Sequence, residues 1–87
     1  MAKAEMRMAV DPFQVIARAL KKAKKRPRFG KIISVDYDEE ADVLYARFAH
    51  GKIVDSEPLD DEGMVLGSLG SKQNIIGLTI IHASNFA

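Results

Sequence analysis

Acidic residues at alternate positions are the first feature of this 87-residue chain that could do chemistry. The odd-position spacing of a calcium-binding loop is found in Asp36, Asp38, Glu40 and Asp42. With Asp36 in the first position, Ala41 would be sixth, where the loop needs glycine, and Arg47 twelfth, where it needs a bidentate Glu. We therefore predict a solvated polar loop here and no metal site.

Groups for acid–base or nucleophilic catalysis are also present, but their context does not favour it. The acidic residues of the predicted turns are surrounded by water and backbone, which keep a carboxyl pKa near about 4 instead of near 7. Strand alternation would place His82 and Ser84 on one face, without a third group to orient them. The separation of His50 and His82 is not that of a metal-binding pair. We predict no enzymatic activity and no cofactor; the carboxylates considered are Glu39, Glu40, Asp42, Asp60, Asp61 and Glu62.

The basic segment offers more chemistry than these groups. The first 31 residues contain ten Lys and Arg against two acidic residues, whereas residues 32–87 contain three against ten, so the formal net charge of +1 is a cancellation. Such a segment can bind phosphates by releasing counterions, and Phe29 within it could stack on a base. The predicted contacts to an anionic partner are Arg18, Lys21, Lys22, Lys25, Arg26 and Arg28.

Three interpretations of this charge remain open. The cations could form a solvated helix face that offsets the acidic residues 32–87, in the same subunit or across a dimer. They could bind DNA or RNA with little sequence preference, since no recognition module accompanies them. A membrane surface is the least favoured partner, because Phe13 is the sole aromatic residue of the predicted helix.

A helix must position these cations, and its start is well defined. Asp11 is a predicted N-cap that accepts from the Gln14 amide, Pro12 occupies the first helical position, and Val10 and Val15 form a hydrophobic staple. We predict a helix over residues 12–25, ended by Pro27. Its apolar face, predicted to dock on the sheet or to mediate dimerisation, contains Phe13, Ile16 and Leu20.

After Gly30 the hydrophobic period changes from about 3.6 to 2, which is typical of strands. We predict five short strands with tight polar turns, starting near residues 33, 43, 53, 64 and 75. Short connections favour antiparallel neighbours, so the predicted fold is α+β: an N-terminal amphipathic helix packed on a β-meander of about five strands. The strand order stays open at this point.

The absence of certain residues also limits the class of protein. The chain has no cysteine, which excludes disulfides and thiolate metal sites and makes the cytoplasm the expected location. No run approaches the ~20 apolar residues of a membrane span, and Lys3, Glu5 and Arg7 interrupt any signal-peptide core.

Four motifs follow one another along the predicted strands: Tyr37-Asp38-x-Glu40-Ala41-Asp42-x-Leu44-Tyr45-x-Arg47, Asp61-x-Gly63, Ile76-Gly77-Leu78-x-Ile80 and Ala83-Ser84. They resemble the motifs of the domain of unknown function 2283 family of small prokaryotic proteins. The resemblance implies a compact β-rich intracellular domain with no established activity. The chain departs from it at residues 68–74, where an acidic loop is usual, and at Thr79 and His82, where acidic residues are usual.

Together these features predict two parts: a basic N-terminal arm and helix (residues 1–30) and a β-rich domain (residues 31–87). A sheet of this size leaves an edge and apolar surface to cover, so we expect a homodimer or another protein partner. The predicted function is a non-enzymatic, self-associating interaction module. The alternative is a nucleic-acid-binding or antitoxin-like regulator that uses the basic helix.

Overall fold

The structure is a computed structural model that describes residues 11–24 and 31–86. The elements in chain order are helix α1 (Pro12–Lys22), strands β1 (Ser34–Asp38), β2 (Val43–Arg47), β3 (Asp55–Pro58), β4 (Val65–Leu69) and β5 (Ile75–Ile81), and a 3-10 helix (Ala83–Phe86). All paired strands are antiparallel, and α1 packs against their sheet. The predicted α+β class is confirmed.

The strand order in the sheet is β1-β2-β5-β4-β3. Strands β3, β4 and β5 form a sequential meander, and the β1-β2 hairpin lies beside β5. The connection at residues 48–54 carries the chain from β2 to the far edge of the sheet. As a result β5 is the central strand, and β1 and β3 are the two edges.

The hydrophobic core lies on one face of the sheet. Register pairs Leu44 with Ile80 and Ala46 with Leu78, so alternation directs these side chains to the same face. Helix α1 and the 3-10 helix cover that face, and the buried cluster joins all three layers. Its members are Val15, Ile16, Ala19, Leu44, Ala46, Leu59, Val65, Leu78, Ile80, Ala83 and Phe86.

Helix α1 begins as predicted but ends early. The Asp11 carboxylate accepts from the Phe13 N–H at 2.9 Å. The Gln14 N–H, which was predicted to donate to that carboxylate, donates to the Asp11 carbonyl oxygen at 2.9 Å. The predicted cap residue is therefore confirmed, and the predicted donor to its side chain was wrong. The helix stops at Lys22 instead of residue 25, because the Lys24 N–H donates to the Leu59 carbonyl oxygen at 2.7 Å. Val10, and with it the predicted staple, lies outside the described residues.

The buried stripe of α1 is rotated relative to the predicted one. Val15, Ile16 and Ala19 are buried, whereas Phe13 is 54% exposed.

In the described residues no helix is long and apolar enough to cross a membrane.

The chain leaves the sheet after Ile81. His82 has a positive φ of 56°, and Ser84 belongs to the 3-10 helix. The prediction that strand alternation places His82 and Ser84 on one face was therefore wrong. The turn brings Ala83 and Phe86 back into the core against α1.

Candidate functional site

A cluster of polar side chains forms where the β1-β2 turn meets the 3-10 helix. Asp42 Oδ1 accepts from the Tyr37 hydroxyl at 2.6 Å and from the Ser84 N–H at 3.0 Å, and its Oδ2 accepts from the Ser84 hydroxyl at 2.6 Å. The Asp42 carbonyl oxygen also accepts from the Ala83 N–H at 2.9 Å. Asp42 thus ties the hairpin to the end of β5; we call Tyr37, Asp42 and Ser84 the Asp42 junction.

The contacts in the Asp42 junction shift both titratable groups away from neutral pH. Desolvation raises the pKa of Asp42, but the hydrogen bonds from Ser84 and Tyr37 outweigh it and hold that pKa below its usual value. The hydrogen bond to Asp42, assisted by desolvation, raises the pKa of Tyr37 to about 12. The expectation that turn carboxylates keep their reference pKa was therefore wrong for Asp42.

This arrangement favours a structural role over a catalytic one. A carboxylate with a lowered pKa is a weak base, and a phenol with a raised pKa is a weak acid. The Ser84 hydroxyl donates directly to Asp42, with no base between them to activate it. Sequence reasoning missed the Asp42 junction, because Asp42 and Ser84 lie far apart along the chain.

The acidic residues with the spacing of a calcium loop lie in β1 and in the turn between β1 and β2. Asp38 Oδ1 accepts from the N–H groups of Glu40 and Ala41 at 3.1 and 3.2 Å, and Asp42 is engaged in the junction. Across residues 11–24 and 31–86, no three carboxylate or imidazole groups are arranged so that they could hold a metal ion. Asp38 therefore acts as a backbone acceptor in the turn.

Several cations predicted to meet an anionic partner contact the chain itself. Arg18 donates to the Phe86 carbonyl oxygen at 3.2 Å, and Lys22 pairs with Glu62 while its Nζ lies 5.9 Å from the Phe86 ring centroid. Lys24, which was not in the predicted set, also contacts its own chain, with its Nζ 3.1 Å from Asp61 Oδ2. Lys21 is exposed, and Lys25, Arg26 and Arg28 lie outside the described residues.

The residues predicted for docking or dimerisation divide into two groups. Ile16 is buried and Leu20 packs against the core, so both dock α1 on the sheet of their own chain. The aromatic ring of Phe13 remains largely exposed. Its role in self-association stays a prediction.

The face of the sheet opposite α1 carries an apolar patch that sequence reasoning did not locate. Register places Val43 opposite Ile81, and Thr79 between Tyr45 and Leu66. Alternation turns these side chains away from the core, and none of them belongs to the buried cluster. Tyr45 on β2 is 43% exposed on this face. We call Val43, Tyr45, Leu66, Thr79 and Ile81 the outer patch.

The charged residues in register with the outer patch are two carboxylates and one arginine. On edge strand β1, Asp36 and Asp38 are exposed on this face. The corresponding positions of edge strand β3 are the uncharged Ser56 and Pro58. Arg47 is the cation nearest in register, and its guanidinium donates to the carbonyl oxygens of Ala49 and Gly51. The surface is therefore poorly suited to phosphate groups.

The motifs that suggested a family build turns and close strand contacts. Besides Asp38 and Asp42, Asp60 Oδ1 accepts from two N–H groups in the β3-β4 turn, in which Gly63 adopts a φ of 72°. In β5, a β-carbon on Gly77 would lie 2.7 Å from a backbone oxygen of β2. The motifs therefore specify the fold.

Comparison with known proteins gives one match. The profile of the family described as "Protein of unknown function (DUF2283)" matches residues 34–84, more than half of the chain. No curated protein and no solved structure matches. The matched region runs from the start of β1 into the 3-10 helix, so it includes the whole sheet and the Asp42 junction. The chain belongs to the DUF2283 family.

Proposed function

We propose that this protein is a non-enzymatic interaction module that self-associates through the outer patch. The observation that carries the proposal is the half-exposed Tyr45 beside the central strand of an apolar sheet face. In the described residues α1 and the 3-10 helix cover the opposite face, and no described element covers the outer patch. Two antiparallel sheets can pack face to face at about 10 Å, which buries such a patch on both copies.

A second copy fits the charges around the outer patch. A two-fold axis along the central strand β5 places β1 of one copy opposite β3 of the other. Asp36 and Asp38 then face Ser56 and Pro58, so no like charges oppose each other. The chain can thus pair with itself while its acidic rim discourages anionic partners.

The size of the sheet sets the expected affinity. Five strands at about 4.8 Å and five residues at about 3.3 Å give a face of roughly 24 by 17 Å. Each face is thus roughly 400 Å² and the two together roughly 800 Å², which is below the ~1,200–2,000 Å² of stable specific interfaces, so we expect a weak dimer that dissociates at micromolar concentrations.

Substitution of Tyr45 by lysine is expected to make the protein monomeric. It would place two ammonium groups in a patch that must exclude water, and sedimentation equilibrium over a range of concentrations measures the effect. Val54→Lys is the matched control, because Val54 is 50% exposed but lies in the connection before β3. A monomeric wild type, or Tyr45→Lys that dimerises like wild type, contradicts the proposal. Loss of the dimer in Phe13→Lys alone assigns the interface to α1 instead.

A nucleic-acid-binding or antitoxin-like role, based on the charge of residues 1–31, is the second candidate. Lys21 is exposed and available to phosphates, whereas Arg18, Lys22 and Lys24 contact their own chain. If the role holds, duplex DNA or RNA is retarded in a mobility-shift assay, less so at higher salt, and not by a charge-reversed helix. No shift at low salt removes this candidate. The cytoplasmic location likewise stays a prediction.

A further inference from the structure

The turn between β3 and β4 forms a depression of about 200 Å³ on the helix side of the molecule, lined by Lys22, Asp60, Asp61 and Glu62. Asp60 is only 7% exposed. Its Oδ1 accepts from the N–H groups of Met64 and Val65 at 3.0 and 3.1 Å. Its Oδ2 is buried and has no hydrogen-bond partner among the described residues.

The charges around Asp60 are not balanced. Among the described residues Glu62 pairs with Lys22 and Asp61 pairs with Lys24, and no ion pair is formed by the Asp60 carboxylate. Burial of an acceptor without a donor is unfavourable, because the oxygen has lost its hydrogen bonds to water and forms none within the protein. A cationic donor that reaches Asp60 Oδ2 would therefore be bound favourably.

The surroundings select the kind of cation. In the described residues no carboxylate cluster is arranged to hold a metal ion. An ammonium is compact and strongly hydrated, whereas a guanidinium is planar, weakly hydrated and carries five N–H donors in a fixed fork. The depression corresponds to the liquid volume of about seven waters, at about 30 Å³ each, which accommodates a guanidinium and its stem.

We propose that this depression is a binding site for a guanidinium group. One edge of the guanidinium donates to Asp60 Oδ2, and another edge donates to the Glu62 carboxylate. The ion pair between Lys22 and Glu62 opens to allow this second contact. The side chain of an arginine in a peptide and the free amino acid share this chemistry. The site is distinct from the outer patch, so it does not depend on self-association.

The proposal is tested by titrating the full chain with methylguanidinium chloride and following the Met64 and Val65 amide resonances by NMR. We expect saturable shifts that sodium chloride at equal ionic strength does not produce and that methylammonium produces more weakly. Repeating the titration with arginine and with N-acetyl-arginine amide distinguishes the sources. Tighter binding of arginine indicates a small molecule, and tighter binding of the capped form indicates a peptide; either result supports the site.

Asp60→Asn is expected to weaken methylguanidinium binding by about tenfold or more, since it removes one charge-assisted hydrogen bond. The amide oxygen can still accept from Met64 and Val65, so the turn is retained. Glu62→Gln, at an exposed position of the same depression, provides a second variant that leaves those hydrogen bonds untouched, and it is also expected to bind more weakly. Shifts that do not saturate, or equal affinity in wild type and both variants, would overturn the proposal.

Discussion

Gly77→Ala is expected to destabilise the protein by about 3 kcal/mol, near the upper end of the range for overpacking a well-packed interior. A β-carbon at this position would lie 2.7 Å from the carbonyl oxygen of Ala46 in β2. Gly77 lies in the central strand, opposite Arg47 of β2 and Ser68 of β4. The atom that the β-carbon would meet belongs to the backbone, so a change of side-chain rotamer cannot move it. Relief requires β2 and β5 to separate locally. Urea unfolding followed by circular dichroism measures the loss.

Gly67→Ala is the matched control for this prediction. Gly67 lies in β4 beside β5, and its added β-carbon would meet Ile75 Cδ1 at 3.2 Å and Leu59 Cδ2 at 3.4 Å. Both atoms are ends of flexible side chains, so we expect a loss of about 1 kcal/mol or less. Equal losses in the two variants would show that the close approach of the β2 backbone does not determine the cost.

Local patterns predicted the elements of this fold well, because their causes are local. Alternating side chains placed the strands, and Asp11 with Pro12 marked the start of α1. The end of α1 was predicted three residues too late, because the Lys24 N–H pairs with Leu59 in a distant turn. A rule based on neighbouring residues cannot detect such a bond.

The candidate sites were harder to predict, because they depend on residues brought together by the fold. The apolar stripe of α1 was assigned to Phe13, Ile16 and Leu20; Ile16 and Leu20 do pack, but Phe13 is exposed and the buried Val15 and Ala19 were missed. The outer patch combines β2, β4 and β5, and its neighbours follow from a strand order that the sequence left open. The partner of Ser84 was equally hidden, because Asp42 precedes it by almost half the chain.

Asp42→Ala is expected to cost about 3 to 4 kcal/mol of unfolding free energy. The substitution removes three hydrogen bonds to an ionised acceptor, each worth about 1 kcal/mol at this partly exposed site, and alanine at a φ of 57° lacks the polar side chain that helps Asp to adopt this conformation. Asp38→Ala is the matched control in the same hairpin. Asp38 accepts only from nearby N–H groups of its own turn, so we expect about 1 kcal/mol. Equal losses would mean that the Asp42 junction adds nothing beyond turn formation.

The pH dependence of stability separates the charge of Asp42 from its shape. Asn tolerates a positive φ, so Asp42→Asn mainly removes the charge. The folded pKa of Asp42 lies below its usual 3.8, so its stabilisation is present above that value and is lost as the pH falls through the folded pKa. The pKa of Tyr37 is raised from 10.0 to about 12, so its contribution is present below pH 10.0 and is lost as the pH rises through about 12. The difference in unfolding free energy between wild type and Asp42→Asn should therefore be constant near neutral pH and narrow in acid. A difference that persists at the lowest pH would show that the ionised carboxylate does not stabilise the junction.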